Sequence, residues 1–171
     1  TSSFTTAPAD SINISSAQQS IAAGNPSSQI TLELHDALGN LVKSSTTTRL
    51  YLFSTSGTGR FSATASPFIS IPYIDLPANQ TSINVYYNDN SAGTFTLTVS
   101  DGTPADGNVG LKDTSQTISV VSTQVASFTF GNIANQAAGV PFATSISAKD
   151  IYGNAVGSFT GSVNLTSSLE A

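Results

Sequence analysis

The stretch ITLELHDALGNLV at residues 30–42 joins a strand pattern to a turn pattern. Ile30, Leu32 and Leu34 alternate with polar residues, and this two-residue period is typical of a strand with one buried face. The segment DALGNLV begins at Asp36 and contains a glycine, which adopts positive φ without steric cost. These residues therefore predict a half-buried β-strand that ends in a tight turn.

The same turn segment occurs a second time in the chain. DIYGNAV at 150–156 follows DALGNLV at 36–42 by 114 positions, and AGVP at 138–141 follows AGNP at 23–26 by 115 positions. A period of this length corresponds to a whole β-sandwich domain, whereas solenoid repeats are far shorter. The repetition predicts two consecutive domains of one type.

We expect the chain to contain one complete domain and only part of a second. Residues 1–10 are rich in Ser, Thr and Pro and are interpreted as a linker or the tail of a preceding repeat. Residues 11–122 are expected to form a complete sandwich. Residues 123–171 are expected to form only the N-terminal part of a second repeat, because they contain too few strand patterns to bury two sheet faces.

Short strand patterns separated by turn residues fill the first domain. We expect strands near Ile12 and Ile14, at 30–36, 48–54, within 61–71, and at 82–88, 94–99 and 116–121. We expect a break at 22–26, a loop marked by Pro72, Asp75, Pro77 and Asn79, a hairpin connection at 88–93 and a longer loop at 101–113. About seven or eight short strands at this spacing predict an all-β, immunoglobulin-like β-sandwich.

The composition limits the partners and the location that we expect for this protein. Charged residues make up 9% of the chain, and 5 Lys and Arg residues leave a formal net charge of -5. Nucleic acids and anionic membranes both attract basic surfaces, so neither partner is expected. No apolar run is long enough to insert into a membrane. The low charge, together with 28 Ser and 22 Thr, favours an extracellular or cell-surface location.

Together, Ala-Gly-x-Pro, the strand and Asp-x-x-Gly-Asn-x-Val resemble the bacterial immunoglobulin-like repeats of invasin- and intimin-type surface proteins, the Big family. Residues 158–166 (SFTGSVNLT) resemble the next strand of such a repeat. In that family the repeats are stacked in tandem on cell-surface adhesins, S-layer-associated proteins and large secreted polysaccharide hydrolases. The resemblance implies a spacer, stalk or adhesion-supporting module. Its partners would be neighbouring repeats, with cell-surface polysaccharide or other protein subunits as further candidates.

The repeated motif has a structural explanation and a competing metal explanation. Strand parity places Asp36 and Asp150 at the last inward position, where a carboxylate accepts N–H groups of the turn. Gly39 and Gly153 then supply the positive φ that the turn requires. The alternative is a cation site shared by both copies. We favour the structural explanation because it needs no ligand.

Acidic residues concentrate in the longest predicted loop. Asp101, Asp106, Asn108 and Asp113 offer carboxylate and amide oxygens, which are the ligands that calcium uses. Their spacing does not match an EF-hand loop, so a solvated turn is the competing interpretation. We expect no cofactor and favour the solvated turn; calcium, with these four residues as its candidate ligands, is the alternative.

A second candidate set is aromatic. Tyr51, Phe53 and Tyr86 occupy outward positions in predicted strands that we expect to be neighbours. An exposed aromatic platform of this kind binds sugar rings. The competing interpretations are that the three rings pack against a neighbouring domain or are simply scattered over the surface.

Catalysis is not expected. His35 is the only histidine, and it shares the outward face of its strand with Glu33. This pair offers at most two metal ligands, and no nucleophile-elbow sequence accompanies it. We therefore expect a non-catalytic segment of a large extracellular protein. A carbohydrate- or receptor-binding module, or an accessory domain of a secreted polysaccharide hydrolase, is the alternative.

Overall fold

The described chain is built entirely from β-strands and loops. A computed structural model describes residues 7–167, and within them no helix is long and apolar enough to cross a membrane. The chain divides into two compact units, Thr1–Ser122 and Thr123–Ala171. The strands are β1 Ser11–Ile14, β2 Ser20–Ala22, β3 Ile30–His35, β4 Thr48–Ser54, β5 Arg60–Ser62, β6 Tyr73–Leu76, β7 Ser82–Asn88, β8 Gly93–Ser100, β9 Thr114–Val121, β10 Ser127–Phe130 and β11 Ile146–Lys149.

The first unit is a sandwich of two sheets. One sheet has the strand order β1-β3-β7-β5, and the other has the order β2-β9-β8-β4-β6. Neighbouring strands are antiparallel except for β2 and β9, which pair in parallel. The predicted all-β sandwich is confirmed.

The core lies between the two sheets and is formed by the alternating apolar residues of the strands. Ile30, Leu32 and Leu34 are all buried, as their spacing predicts. Burying each such side chain stabilises the fold by about 1.5–3 kcal/mol relative to exposure. The buried apolar cluster consists of Ile12, Ile21, Ala23, Ile30, Leu32, Leu34, Val42, Leu50, Leu52, Phe61, Leu76, Val85, Tyr87, Leu97, Val99, Ile118 and Val120.

Two local expectations for the first unit are wrong, and one strand is additional to those expected. A strand, β6, occupies part of the predicted loop around Asp75, because Leu76 is buried and the strand pairs with β4. The additional strand is β2, which pairs with β9 and ends at Ala22, and the residues that follow it form the predicted break. The segment at 88–93 is not a hairpin, since β7 and β8 belong to different sheets. It crosses from one sheet to the other.

The second unit contains a two-stranded antiparallel sheet formed by β10 and β11. The expected strand at 158–166 is absent from the described part of this unit. In the first unit, β4 follows the corresponding turn and is held between β8 and β6. Residues 123–167 provide no such flanking strands. A strand pattern without a partner for its backbone hydrogen bonds does not form a ladder.

Candidate metal site

The motif at 36–42 forms a closed turn around one carboxylate. Asp36 Oδ1 accepts the N–H groups of Leu38 and Asn40, each at 2.9 Å. Asn40 Nδ2 donates to Asp36 Oδ2 at 3.1 Å. Gly39 has a φ of 83°. Both hydrogen bonds from Asn40 hold the pKa of the Asp36 carboxyl below its usual value.

The motif at 150–156 has the same geometry. Asp150 Oδ1 accepts the N–H groups of Tyr152 and Asn154, each at 2.9 Å, and Asn154 Nδ2 donates to Oδ2 at 3.0 Å. Gly153 has a φ of 85°. The Thr123 N–H also donates to Asp150 Oδ2, at 3.1 Å. The prediction that both carboxylates accept turn N–H groups is confirmed.

Burial and hydrogen bonding act in opposite directions on Asp150. Its burial raises the pKa of the carboxyl, but the hydrogen bonds from Asn154, Thr123 and Tyr152 outweigh that effect and bring the pKa to about 2. An ionised carboxylate is therefore built into this turn.

The loop between β8 and β9 brings three carboxylates together. Asp101, Asp106 and Asp113 each place one ligand atom within 4.8 Å of the others. Val99 pairs with Thr114 across the two strands, so the residues that follow β8 and precede β9 are neighbours. The antiparallel hairpin thus positions Asp101 and Asp113, and the loop returns Asp106 to them. We call these three residues the acidic cluster.

Hydrogen bonds use only part of the acceptor capacity of the acidic cluster. The Leu111 N–H donates to Asp101 Oδ2 at 3.0 Å, and the Gly107 N–H donates to Asp113 Oδ2 at 2.8 Å. The other oxygens, Asp101 Oδ1 and Asp113 Oδ1, each expose less than 1 Å² and accept no hydrogen bond from the described part of the chain. Buried acceptors without a partner are unusual in folded proteins and require an explanation.

The loop packs tightly around these side chains. A Cβ atom at Gly102 would collide with the carboxylate of Asp106, and one at Gly110 would collide with that of Asp101. Gly110 also has a φ of 73°, which favours glycine. The buried hydroxyl of Ser100 donates weakly to Asp106, at 3.4 Å. The chain therefore holds the acidic cluster closely while Asp106 stays exposed to solvent.

No basic side chain balances the cluster within the described chain. The ion pairs of residues 7–167 are Glu33–His35, Arg49–Asp75 and Asp10–Lys112. Lys112 precedes Asp113 in the sequence, yet its ammonium group contacts Asp10 at 2.7 Å. Three like charges at this distance repel one another unless a cation or protons neutralise them. Oxygen ligands of this kind suit a hard divalent cation.

The fourth predicted ligand, Asn108, lies in the same loop and is exposed. Of the four predicted ligands, the fold brings Asp101, Asp106 and Asp113 together.

The aromatic candidates do not form one platform. Tyr51 and Phe53 lie on β4 in the five-stranded sheet, whereas Tyr86 lies on β7 in the four-stranded sheet. The expectation that their strands are neighbours is wrong. Strand parity identifies an outward side chain, but it does not identify which of the two sheets carries it.

A different aromatic group surrounds Tyr51. The rings of Tyr51 and Tyr73 meet edge to face with their centroids 6.0 Å apart. The Arg49 guanidinium lies 3.8 Å from the centre of the Tyr73 ring and forms two hydrogen bonds, of 2.8 and 3.0 Å, with Asp75. Sequence reasoning missed this group because Tyr73 and Asp75 were assigned to a loop.

His35 is engaged on its own strand and turn. Its Nδ1 atom lies 2.9 Å from the Gly39 carbonyl oxygen, and its Nε2 atom lies 3.1 Å from Glu33 Oε2. Both ring nitrogens therefore face acceptors in the β3 region. This geometry makes His35 part of the turn structure.

A buried polar network around Asp89 was also missed. Asp89 is inaccessible to solvent and accepts hydrogen bonds from the Tyr87 hydroxyl at 2.7 Å and the Ser91 N–H at 2.9 Å, and also from Thr58. Burial raises its pKa, but these hydrogen bonds outweigh burial and lower it. The sequence NDNSAG indicated only a turn. The alternation that ends at Tyr87 was the available signal that Asp89 continues on the inward face.

No protein-family model matches the chain, and no curated protein matches it. Among solved structures, the chain is similar to domains 1-6 of the surface layer protein SbsC, with 22% identity, a TM-score of 0.45 and coverage of 94% of this chain and 18% of that one. A β-glycosidase from Bacteroides vulgatus gives 21% identity, a TM-score of 0.47 and coverage of 66% and 14%. The chain thus spans less than a fifth of either structure.

A conjugative transposon lipoprotein from Bacteroides eggerthii is also similar, with 15% identity and a TM-score of 0.40 over 63% of this chain and 94% of that one. At these identities and scores the likenesses concern β-architecture alone. Function must therefore be argued from the residues of this chain.

Proposed function

We propose that the chain is a non-catalytic, immunoglobulin-like repeat segment that spaces or presents other domains of a large extracellular or cell-surface protein. The observation that supports this function is the matched geometry of the two turns. Asp36 and Asp150 make equivalent hydrogen bonds, and Gly39 and Gly153 have equivalent φ angles. The glycines of the two Ala-Gly-x-Pro segments also match, with φ angles of 79° for Gly24 and 77° for Gly139. Matched turns in consecutive units are typical of tandem repeats.

The connection between the two units is short. The Val121 carbonyl accepts a hydrogen bond from the Ala23 N–H in the first unit. The Thr123 N–H donates to Asp150 in the second unit. Ser122 alone therefore separates two anchored residues. A linker this short limits the conformational freedom of a chain of domains and gives reach at low entropic cost.

Residual dipolar couplings of the whole chain would test the spacer function. We expect the two units to share one alignment tensor in the wild-type chain. A variant with a Gly-Ser insertion between Ser122 and Thr123 is the matched control and should give two different tensors. Independent tensors in the wild-type chain would contradict a stiff spacer.

A second candidate function is carbohydrate binding at the group around Tyr51. The observation that favours it is the partly exposed pair of Tyr51 and Tyr73 beside the Arg49–Asp75 ion pair. Polysaccharide pull-down with the wild-type chain would test this function. Binding that is lost in Tyr51→Ala and retained in Tyr86→Ala, on the other sheet, would establish a binding module and contradict a pure spacer. We also propose, as a further alternative, that this chain is an accessory domain of a secreted hydrolase whose catalytic domain is a different part of the same polypeptide.

A further inference from the structure

We propose that Asp101, Asp106 and Asp113 bind one calcium ion at the end of the β8–β9 hairpin. This proposal concerns a ligand site within the first unit and does not depend on the spacer function. It is based on two separate observations, which are the convergence of three carboxylates and the two buried oxygens that have no hydrogen-bond partner.

The unpartnered oxygens are the observation that points to a ligand. Asp101 and Asp113 each use Oδ2 to accept a backbone N–H of the loop, so their side chains are already oriented. Their Oδ1 atoms are shielded from solvent and receive no proton donor from the described residues. A buried acceptor in this state carries the full cost of desolvation. A cation between the carboxylates would compensate both oxygens at once.

The donor set favours calcium over other metals. The sequence has no cysteine, and the only histidine, His35, is engaged with Glu33 and Gly39. The ligands are therefore oxygens, which hard cations prefer. Calcium takes six to eight oxygens in flexible geometry, whereas magnesium requires a near-ideal octahedron of about six. A loop of carboxylates open to water at Asp106 can complete the larger shell with solvent oxygens.

Binding would connect the two ends of the loop. Asp101 follows β8 and Asp113 precedes β9, so one ion shared by both would fix the hairpin at its loop end. Asp106 would fasten the middle of the loop to the same point. The site would therefore stabilise the first unit in proportion to calcium occupancy, as any ligand of the folded state does.

Calorimetric titration of the whole chain with calcium chloride tests the proposal. We expect one ion per chain, with a dissociation constant on the order of 0.1–1 mM, the range of extracellular calcium modules. Asp106→Asn should weaken binding by at least about 10-fold, because it removes the negative charge of a direct ligand, and calcium affinity depends on the charge of the ligands. Asp106 is exposed, so this variant should fold normally, and circular dichroism would verify it.

The matched control is Glu33→Gln, which removes one carboxylate charge from β3, outside the acidic cluster. Its calcium affinity should equal that of the wild-type chain. The proposal is overturned if the wild-type chain binds no calcium up to about 10 mM, well above the range of extracellular sites. It is also overturned if Glu33→Gln and Asp106→Asn weaken binding equally. Equal affinity for magnesium would overturn the assignment to calcium.

Discussion

The turn at Asp36 and the loop at Asp101–Asp113 are both organised by aspartate side chains, but they use these side chains differently. In the turn, both oxygens of one carboxylate accept hydrogen bonds from Leu38 and Asn40. In the loop, three carboxylates converge and two of their oxygens have no partner. Both carboxylate oxygens in the turn already accept hydrogen bonds, whereas two carboxylate oxygens in the loop accept none. Counting the hydrogen bonds of each oxygen therefore separates a structural aspartate from a candidate ligand.

The repeated motif strengthens this comparison. Asp150 reproduces the hydrogen bonds of Asp36 in a unit that has only two described strands. The local sequence alone therefore suffices to form the turn. The acidic cluster needs more than local sequence, because the β8–β9 hairpin must first bring Asp101 to Asp113.

The largest effect is expected from Asp36→Ala. The substitution removes the carboxylate that accepts the N–H groups of Leu38 and Asn40, and hydrogen bonds to an ionised acceptor are stronger than neutral ones. The melting temperature of the first unit should fall by roughly 5 °C or more. Differential scanning calorimetry measures this change.

Calcium titration of the same variant distinguishes the two regions. If the turn is purely structural, calcium should raise the melting temperature of Asp36→Ala as much as that of the wild-type chain. Loss of the calcium response in this variant would place a cation in the turn and contradict the comparison.

A pair of glycine substitutions should give a smaller effect. Gly39 and Gly110 have similar φ angles, of 83° and 73°, but only a Cβ at Gly110 would collide with an aspartate, Asp101. Gly39→Ala should cost roughly 1–2 kcal/mol, the penalty for a left-handed residue. It should leave calcium affinity unchanged.

Gly110→Ala should carry the same backbone penalty and also displace the Asp101 carboxylate. Its calcium affinity should therefore decrease, in a calorimetric titration run beside that of Gly39→Ala. Equal affinities for the two variants would show that Asp101 does not contribute a ligand.

The smallest expected effect is the pH dependence of stability that Asp150 causes. The pKa of Asp150 is about 2 in the folded chain, against a usual value of 3.8. A lowered pKa means that the stabilisation is complete above about pH 4 and is lost as the pH falls through about 2. A carboxyl NMR titration should locate this pKa. Asn154→Ala removes a hydrogen bond of 3.0 Å and should raise the pKa towards 3.8.

The sequence predicted those parts of the fold that depend on local alternation. The alternation of apolar residues at Ile30, Leu32 and Leu34 predicted β3. The strand β4 was predicted with its observed bounds of Thr48–Ser54. The short strand β2 contains a single buried residue, Ile21, and forms only because β9 lies beside it. Such a strand has no periodic signal of its own.

The remaining errors of the sequence prediction also arise from strand pairing between distant parts of the chain. Proline and aspartate residues around β6 indicated a loop, but the Arg49–Asp75 pair and buried Leu76 hold this segment against β4. Tyr51 and Tyr86 both point outward, yet they belong to opposite sheets. Non-local strand pairing decides these features, and one sequence does not reveal it.

An amide NMR titration of the whole chain with calcium tests the central comparison most directly. The N–H groups of Gly107 and Leu111 donate to the acidic cluster, whereas those of Leu38 and Asn40 donate to Asp36. We predict that calcium shifts the first pair of resonances saturably and leaves the second pair unchanged. Unchanged resonances of Gly107 and Leu111, or equal shifts in both pairs, would contradict the account.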